Sequence, residues 1–224
     1  MKQYERALVF WDENFSKQEA REIIDWNLGS KIYQDILIQF CANKKMILDF
    51  GCGSGWASHF FAANSCANII GIDQSANAVK LAKETSKINC YESTKFLIGD
   101  ESYLKTLPID SFDAVFSNNV FDVIPTDLAE SIFIEFQRIL KPDAELLIVF
   151  NYEMSEKRAE EINMTKFGDN CYELDGNLRI VNYSVKEWEK ILGKYFEIIK
   201  YKGFNYDWDT AKAERRIFIL KNKK

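Results

Sequence analysis

A single histidine in 224 residues leaves no material for chemistry built on imidazole clusters. The five cysteines, Cys41, Cys52, Cys66, Cys90 and Cys171, are scattered and odd in number, and none forms a CxxC pair. Neither a zinc site nor a disulfide framework is expected, and no metal is required. Three prolines are few for a linker-rich or disordered chain. No apolar run approaches the length of a membrane span, and the opening MKQYERALVFWDENF lacks an apolar signal core. No membrane partner is expected, and the cytoplasm is the expected compartment. Positive charge is also short: 29 Lys and Arg stand against 34 Asp and Glu, a formal net charge of −5. Proteins that live by neutralising phosphates show the opposite bias, so a nucleic-acid partner is disfavoured.

What is present is a globular composition, 47% hydrophobic and 28% charged. It suits one domain with an appended lid better than two full domains. From residue 46 onward, short apolar runs alternate with amphipathic stretches, the pattern of a parallel sheet covered by helices. Strands are expected at residues 46–50, 68–73, 95–99, 113–118 and 144–151, each a nearly continuous apolar run that suits burial on both faces. Helices are expected from Gly55, from an N-cap at Ser75, and from near Thr126. In the last of these Leu128, Ile132, Phe136 and Ile139 recur at helical spacing up to a stop at Lys141-Pro142.

Two regions break this rhythm. Residues 1–45 look helical and aromatic, with Trp11, Phe15, Trp26 and Tyr33, and are expected to form an N-terminal helical cap on a domain covering 46–224. Residues 152–183 are polar and mixed, with a turn at Asp175-Gly176, and are expected to be a substrate-side insertion. A helix (VKEWEKIL) and two strands (FEIIKY and RRIFIL) close the chain.

The segment ILDFGCGSGW, residues 47–56, ends an apolar strand in Asp49 and then alternates Gly51, Gly53 and Gly55. Open α/β sheets bind ligands at the carboxyl ends of their strands, beside such a turn. A dinucleotide site would need GxGxxG, but the sixth position here is Trp56, and no GK[ST] follows for a phosphate loop.

With the segments that follow it, this turn resembles the first motif of the class I S-adenosylmethionine-dependent methyltransferases. Asp73 in IIGIDQS is similar to that family's ribose-binding carboxylate, and GDESYLKTLP to its adenine-binding segment. FDAVFSNNVFDVIP and the LKPDAELLIVF run resemble the fourth motif and the fifth strand, so that the resemblance covers roughly residues 46–150 in order and spacing. It implies an α/β, Rossmann-like, doubly wound and mostly parallel seven-stranded sheet, with helices on both faces and an N-terminal helical lid.

The cofactor implied is S-adenosylmethionine, with S-adenosylhomocysteine as product. Its implied contacts are Asp49, Phe50, Gly51, Cys52 and Gly53, then Asp73 and Gln74, then Gly99, Asp100 and Glu101, and finally Asn118 and Asn119. Asp73 would accept the ribose hydroxyls, Asp100 and the Glu101 amide would meet the adenine, and Asp49 would meet the ammonium near the Asn118 carbonyl. Carboxylates and carbonyls suit a cationic sulfonium better than a phosphate cradle does. Cys52 reads as a small packing residue.

The acceptor side is less defined. Asp122 stands where relatives carry a substrate-facing histidine or glutamate, which makes it the candidate base. His59 is turned by its helix position toward solvent or a neighbouring helix. Trp11 and Tyr33 would roof the cofactor or stack on the acceptor, unless they pack the N-terminal helices onto the body. The segment SNNV lacks the [DN]PP[YF] clamp of base amino-group enzymes, so a small-molecule acceptor is expected. The alternatives are a protein acceptor and a cofactor-binding, non-catalytic relative. Monomer and homodimer remain equally open.

Overall fold

The computed structural model describes residues 2–65, 67–209 and 213–224; Cys66 lies outside the described residues. The chain runs α1 (Lys2–Ser16), α2 (Lys31–Cys41), β1 (Met46–Phe50), α3 (Trp56–Asn64), β2 (Asn68–Asp73), α4 (Ala76–Ile88), β3 (Thr94–Ile98) and α5 (Glu101–Leu104). It continues with β4 (Phe112–Asn118), α6 (Thr126–Ile139), β5 (Leu140–Phe150), α7 (Glu156–Glu161) and the short strands β6 (Thr165–Gly168), β7 (Cys171–Leu174) and β8 (Asn177–Val181). α8 (Val185–Leu192), β9 (Phe196–Phe204) and β10 (Arg215–Asn222) complete it.

Seven strands form one sheet in the order β3-β2-β1-β4-β5-β10-β9. β10 is antiparallel to both of its neighbours, while the pairs on the β3 side are parallel. Both faces are covered, and the period-2 alternation of a strand sorts side chains between them. Leu48, Val115, Leu146 and Ile148 enter one core with Phe133 and Phe136 of α6 and Trp188 of α8. Ile47, Phe116, Leu147 and Val149 enter the other with Phe40 of α2 and Phe60 and Phe61 of α3. Burying each such side chain stabilises the fold by roughly 1.5–3 kcal/mol, so continuous apolar strands with helices on both sides are the favoured arrangement.

The expected strands and the helices from Gly55 and Ser75 form, and the Ser75 hydroxyl caps α4 by accepting from the Ala78 amide. Three details differ. The expected helix up to Lys141 ends at Ile139, and β5 begins at Leu140 without a loop. Pro142 is accommodated because the pairing jumps from Phe112↔Leu140 to Ala114↔Glu145, with Asp143 at φ +60° in the bulge. Residues 17–30 carry no helix, and α2 is a layer helix beneath the sheet rather than part of a cap. α1 alone rides outside the layers, packed on β8 and α4.

The 152–183 region forms α7 and a separate three-stranded antiparallel sheet, β6-β7-β8. Its β7–β8 hairpin turns at Asp175 and Gly176, with φ of 53° and 75°, as a tight hairpin requires. Among the described residues no helix is long and apolar enough to cross a membrane.

Candidate functional site

At the carboxyl end of β1, the turn between β1 and α3 holds three glycines at positive φ: Gly51 at 70°, Gly53 at 52° and Gly55 at 77°. Side chains are excluded here by space as well. A Cβ on Gly51 would stand 2.2 Å from Val120 Cγ2, and one on Gly55 2.7 Å from Phe96 Cζ. The Gly51 and Cys52 amides donate to the Ile72 carbonyl at 2.8 and 3.1 Å, which ties the turn to β2.

Asp73, the last residue of β2, completes that tie. Its Oδ2 accepts from the Gly53 amide at 2.8 Å and its Oδ1 from the Ser75 amide at 2.9 Å. Burial raises its pKa above the ordinary carboxylate value, and these amide bonds oppose the rise. The Cys52 thiol is pushed well up by burial, and the side chain packs with Val79, Ala82 and Phe96.

Asp49 is 2% exposed. Its Oδ2 accepts from the Ser58 amide at 3.2 Å and the Ser58 hydroxyl at 2.7 Å. Burial pushes it up to about 7, against the lowering effect of the Ser58 bonds. Phe50 is buried and faces the core of Phe121 and Phe136. At the end of β4, the Asn118 Oδ1 accepts from the Tyr33 hydroxyl at 3.1 Å. Tyr33 itself is fully buried, stacked on Phe204 at 4.5 Å. Asn119 adopts φ +57°, and its amide donates to the Val149 carbonyl. Its buried Oδ1 has no partner among the described residues.

Beyond β3, the Gly99 amide donates to the Asp73 carbonyl at 3.0 Å. Asp100 caps α5: its Oδ1 accepts from the Ser102 amide at 2.9 Å and hydroxyl at 2.6 Å, bonds that hold it below the usual carboxylate range. Glu101 opens that helix.

α1 crosses this edge of the site. Gln74 Nε2 donates to the Tyr4 hydroxyl at 3.1 Å. Asp12 Oδ1 accepts from the Ser75 hydroxyl at 2.6 Å, and its Oδ2 from Asn77 Nδ2 at 2.7 Å. Phe15 reaches the glycine turn: a Cβ on Gly53 would be 3.1 Å from Phe15 Cζ. Trp11, 39% exposed, sits one turn earlier on the same helix. Trp11 and Tyr33 therefore do not converge; one rides on α1 and the other lies in the core with only its hydroxyl at the site.

Asp122 is fully buried. Its Oδ2 accepts from the Asn151 amide at 2.7 Å, and its carbonyl accepts from the Val181 amide at 2.7 Å. Arg216 donates to the carbonyls of Asn151 and Tyr183. Together these two side chains hold both stems of the 152–183 region. Asp122 Oδ1 and Arg216 Nη2 are buried without partners among the described residues. Burial raises Asp122, and the Asn151 bond and the Arg216 charge oppose it.

His59 lies away from this site. Its Nε2 meets the Ala82 carbonyl at 3.2 Å and the Ser86 hydroxyl at 2.9 Å, fastening α3 to α4, and burial pushes it down to about 4. An open cleft of about 680 Å³ beside Gln18, Glu84 and Lys87 contains none of the motif residues. Ser58, Tyr4, Asp12 and Arg216 were not evident in the sequence. Each acts through a partner brought close by packing, with no spacing rule to betray it.

The sheet order, with its one antiparallel strand, and the glycine turn locked to an acid at the end of β2 define the class I S-adenosylmethionine-dependent methyltransferase fold. The family model described as "Methyltransferase domain" matches residues 42–203, and the chain belongs to that family. Phosphoethanolamine N-methyltransferase 1 of Zea mays is 31% identical over 115 residues, which are 51% of this chain and 22% of that protein. Ribosomal RNA large subunit methyltransferase G of Streptomyces avermitilis is 33% identical over 109 residues, 47% of this chain and 28% of that protein. The chain thus spans 22% and 28% of the lengths of these two curated relatives. A solved SAM-dependent methyltransferase of Methanosarcina mazei superposes with a TM-score of 0.71 at 20% identity, covering 84% of this chain and 96% of that one.

Proposed function

We propose that this protein transfers the methyl group of S-adenosylmethionine to a small-molecule acceptor. The observation that carries the reading is the Asp73 carboxylate, held by the Gly53 and Ser75 amides at the mouth of a turn where no side chain fits. A ribose with two vicinal hydroxyls needs an oriented acceptor of this kind. The wider donor set fits the same ligand. Asp49 and Asp73 offer negative charge to an ammonium and a sulfonium, and the unpartnered Asn119 Oδ1 is a further acceptor. Asp100 keeps its Oδ2 outside its own helix cap for an amino group.

The cofactor supplies a methyl group on a positively charged sulfur, already activated for displacement. What remains for the protein is positioning, exclusion of water and placement of charge. The glycine turn lets the backbone approach, with Asp49 behind it and Asp73 at its rim. α1 roofs the turn through Phe15 and is pinned by Asp12 and Tyr4. The post-β4 loop, with Asn118, Asn119 and Asp122, and the β6-β7-β8 sheet wall the acceptor side. Asp122 orders that wall through Asn151, and its unpaired Oδ1 is the atom able to take a proton if the acceptor carries one. The roof and wall favour a compact acceptor, and the maize relative is named for one.

Calorimetric titration of S-adenosylmethionine and S-adenosylhomocysteine, followed by turnover with a panel of small amines, hydroxyls and acids, tests this. Binding of both ligands that Asp73→Ala weakens, with methyl transfer to one panel member, is the expected result. Folded protein that binds neither ligand contradicts the cofactor, and binding without turnover on any acceptor favours a non-catalytic relative.

A further inference from the structure

Among the described residues four arginines are buried or half-buried: Arg138, Arg179, Arg215 and Arg216. Three are hydrogen-bonded to protein groups. Arg138 bonds Glu135 and the carbonyls of Leu104 and Leu107. Arg215 bonds Asp209 and Asn151, and Arg216 the carbonyls of Asn151 and Tyr183. Arg179 has no hydrogen bond and no ion pair among the described residues. Asp175, at the hairpin turn, is the carboxylate whose charge acts on it, without reaching ion-pair distance.

What holds Arg179 is aromatic. Its guanidinium carbon lies 4.6 Å from the Phe10 ring centroid and 5.2 Å from that of Trp11. Cation–π contact of this kind holds the guanidinium against the rings while its N–H groups have no partner among the described residues, so they can meet a planar or tetrahedral oxyanion.

The position is also informative. Arg179 follows Leu178, which packs on Ala7 of α1, and precedes by two residues Val181, whose amide is bonded to the Asp122 carbonyl. Trp11 shares a face of α1 with Phe15, one turn on, and Phe15 covers Gly53. Arg179 therefore stands where the roof helix, the insertion sheet and the post-β4 loop meet. Asp12, Asp73, Asp100 and Glu101 gather where α1 meets the ends of β2 and β3, which makes that part of the site acidic and unsuited to an anionic substituent, whereas Arg179 offers positive charge.

Resting on the reading above, we infer that Arg179 recognises an anionic group, a carboxylate or a phosphate, on the methyl acceptor. A guanidinium fork pairs with either in bidentate fashion. The acceptor class is thus an anionic small molecule, with the anion bound on the insertion sheet and the methyl-accepting atom turned toward the glycine turn.

The test uses protein saturated with S-adenosylhomocysteine and titrated with inorganic phosphate, phosphoethanolamine and malonate, so that phosphate and carboxylate are separated. Wild type is compared with Arg179→Met, which keeps the stacked stem, Arg179→Lys, which keeps charge without the fork, and Arg6→Ala, an exposed arginine on the same side. At least one anion should bind saturably. Arg179→Met should weaken it by about tenfold or more, the loss of one charge-assisted partner. Arg179→Lys should fall between, Arg6→Ala should match wild type, and S-adenosylhomocysteine affinity should be unchanged throughout, which also reports an intact fold. Unaltered anion binding in Arg179→Met, or no anion binding by cofactor-loaded wild type, overturns the assignment while leaving the methyltransferase reading intact. Failure of S-adenosylhomocysteine to bind wild type removes both.

Discussion

The Gly53 amide donates to the Asp73 carboxylate at 2.8 Å across 20 residues of sequence. The bond joins the turn after β1 to the end of β2, so the side chain proposed to hold the ribose also shapes the glycine turn. Asp73→Ala leaves the Gly53 and Ser75 amides without their acceptor. Unfolding in urea should show a loss of about 1–3 kcal/mol, the cost of stranding such groups. Added S-adenosylmethionine should stabilise wild type and have a much smaller effect on the variant. Equal stabilisation of both would mean that Asp73 serves the fold alone.

Asp49 links pH to stability. Its folded-state value of about 7 lies above the ordinary 3.8, so between those values the native state holds a proton that the unfolded chain has released. Stability contributed by this group is complete below pH 4 and is lost as pH rises to 7, with a slope of up to about 1.4 kcal/mol per unit. Asp49→Asn should flatten that part of the stability curve. Binding of a ligand ammonium favours the ionised form. Titration near pH 6.5 in buffers of different ionisation enthalpy should therefore report proton release in wild type and none in Asp49→Asn.

Gly51 and Gly168 make a matched pair of probes. At Gly51 a methyl group meets Val120 at 2.2 Å with φ +70°, whereas at Gly168 the nearest atom is 3.8 Å away and φ is ordinary. Gly51→Ala should cost about 2 kcal/mol or more through left-handed strain and overpacking, and it should abolish cofactor binding. Gly168→Ala should be neutral or slightly stabilising. Thermal melts of the two variants, with and without S-adenosylhomocysteine, measure both.

His59 should leave turnover untouched by its own titration. Burial pushes it down to about 4 from 6.5, so acidification charges the unfolded state first. Its contribution to stability is present above pH 6.5 and is lost as pH falls toward 4. His59→Gln should reduce this acid sensitivity in denaturation experiments. The pH dependence of the methylation rate between 6 and 9 should keep its shape, and a displaced limb in that profile would return His59 to the chemistry.

The strands 46–50 and 68–73 were legible because a strand buried on both faces leaves an unbroken apolar run, and β1 and β2 occupy those spans. The glycine turn and Asp73 were legible because their constraint is local, in backbone conformation and strand ends. The β6-β7-β8 sheet was not, except for its Asp175-Gly176 turn. β6 is exposed throughout, so no burial pattern marks it. Tyr33 shows the limit most clearly. An aromatic residue in a helix fits a roof or a core equally well, and three-dimensional packing alone buries it against Phe204 with its hydroxyl on Asn118. Asp12 and Ser75, 63 residues apart, leave no periodic trace.

The antiparallel strand β10 has a consequence for biogenesis. It is the last strand of the large sheet in chain order, yet it lies between β5 and β9. A nascent chain lacking residues 215–222 presents two unpaired edges, one of them the strongly apolar LLIVF of β5. Such edges invite pairing with other chains. Stalled or prematurely ended synthesis of this chain should therefore yield aggregates rather than a folded but weakened protein, and completion of Ile217, Phe218 and Leu220 is the event that closes the sheet.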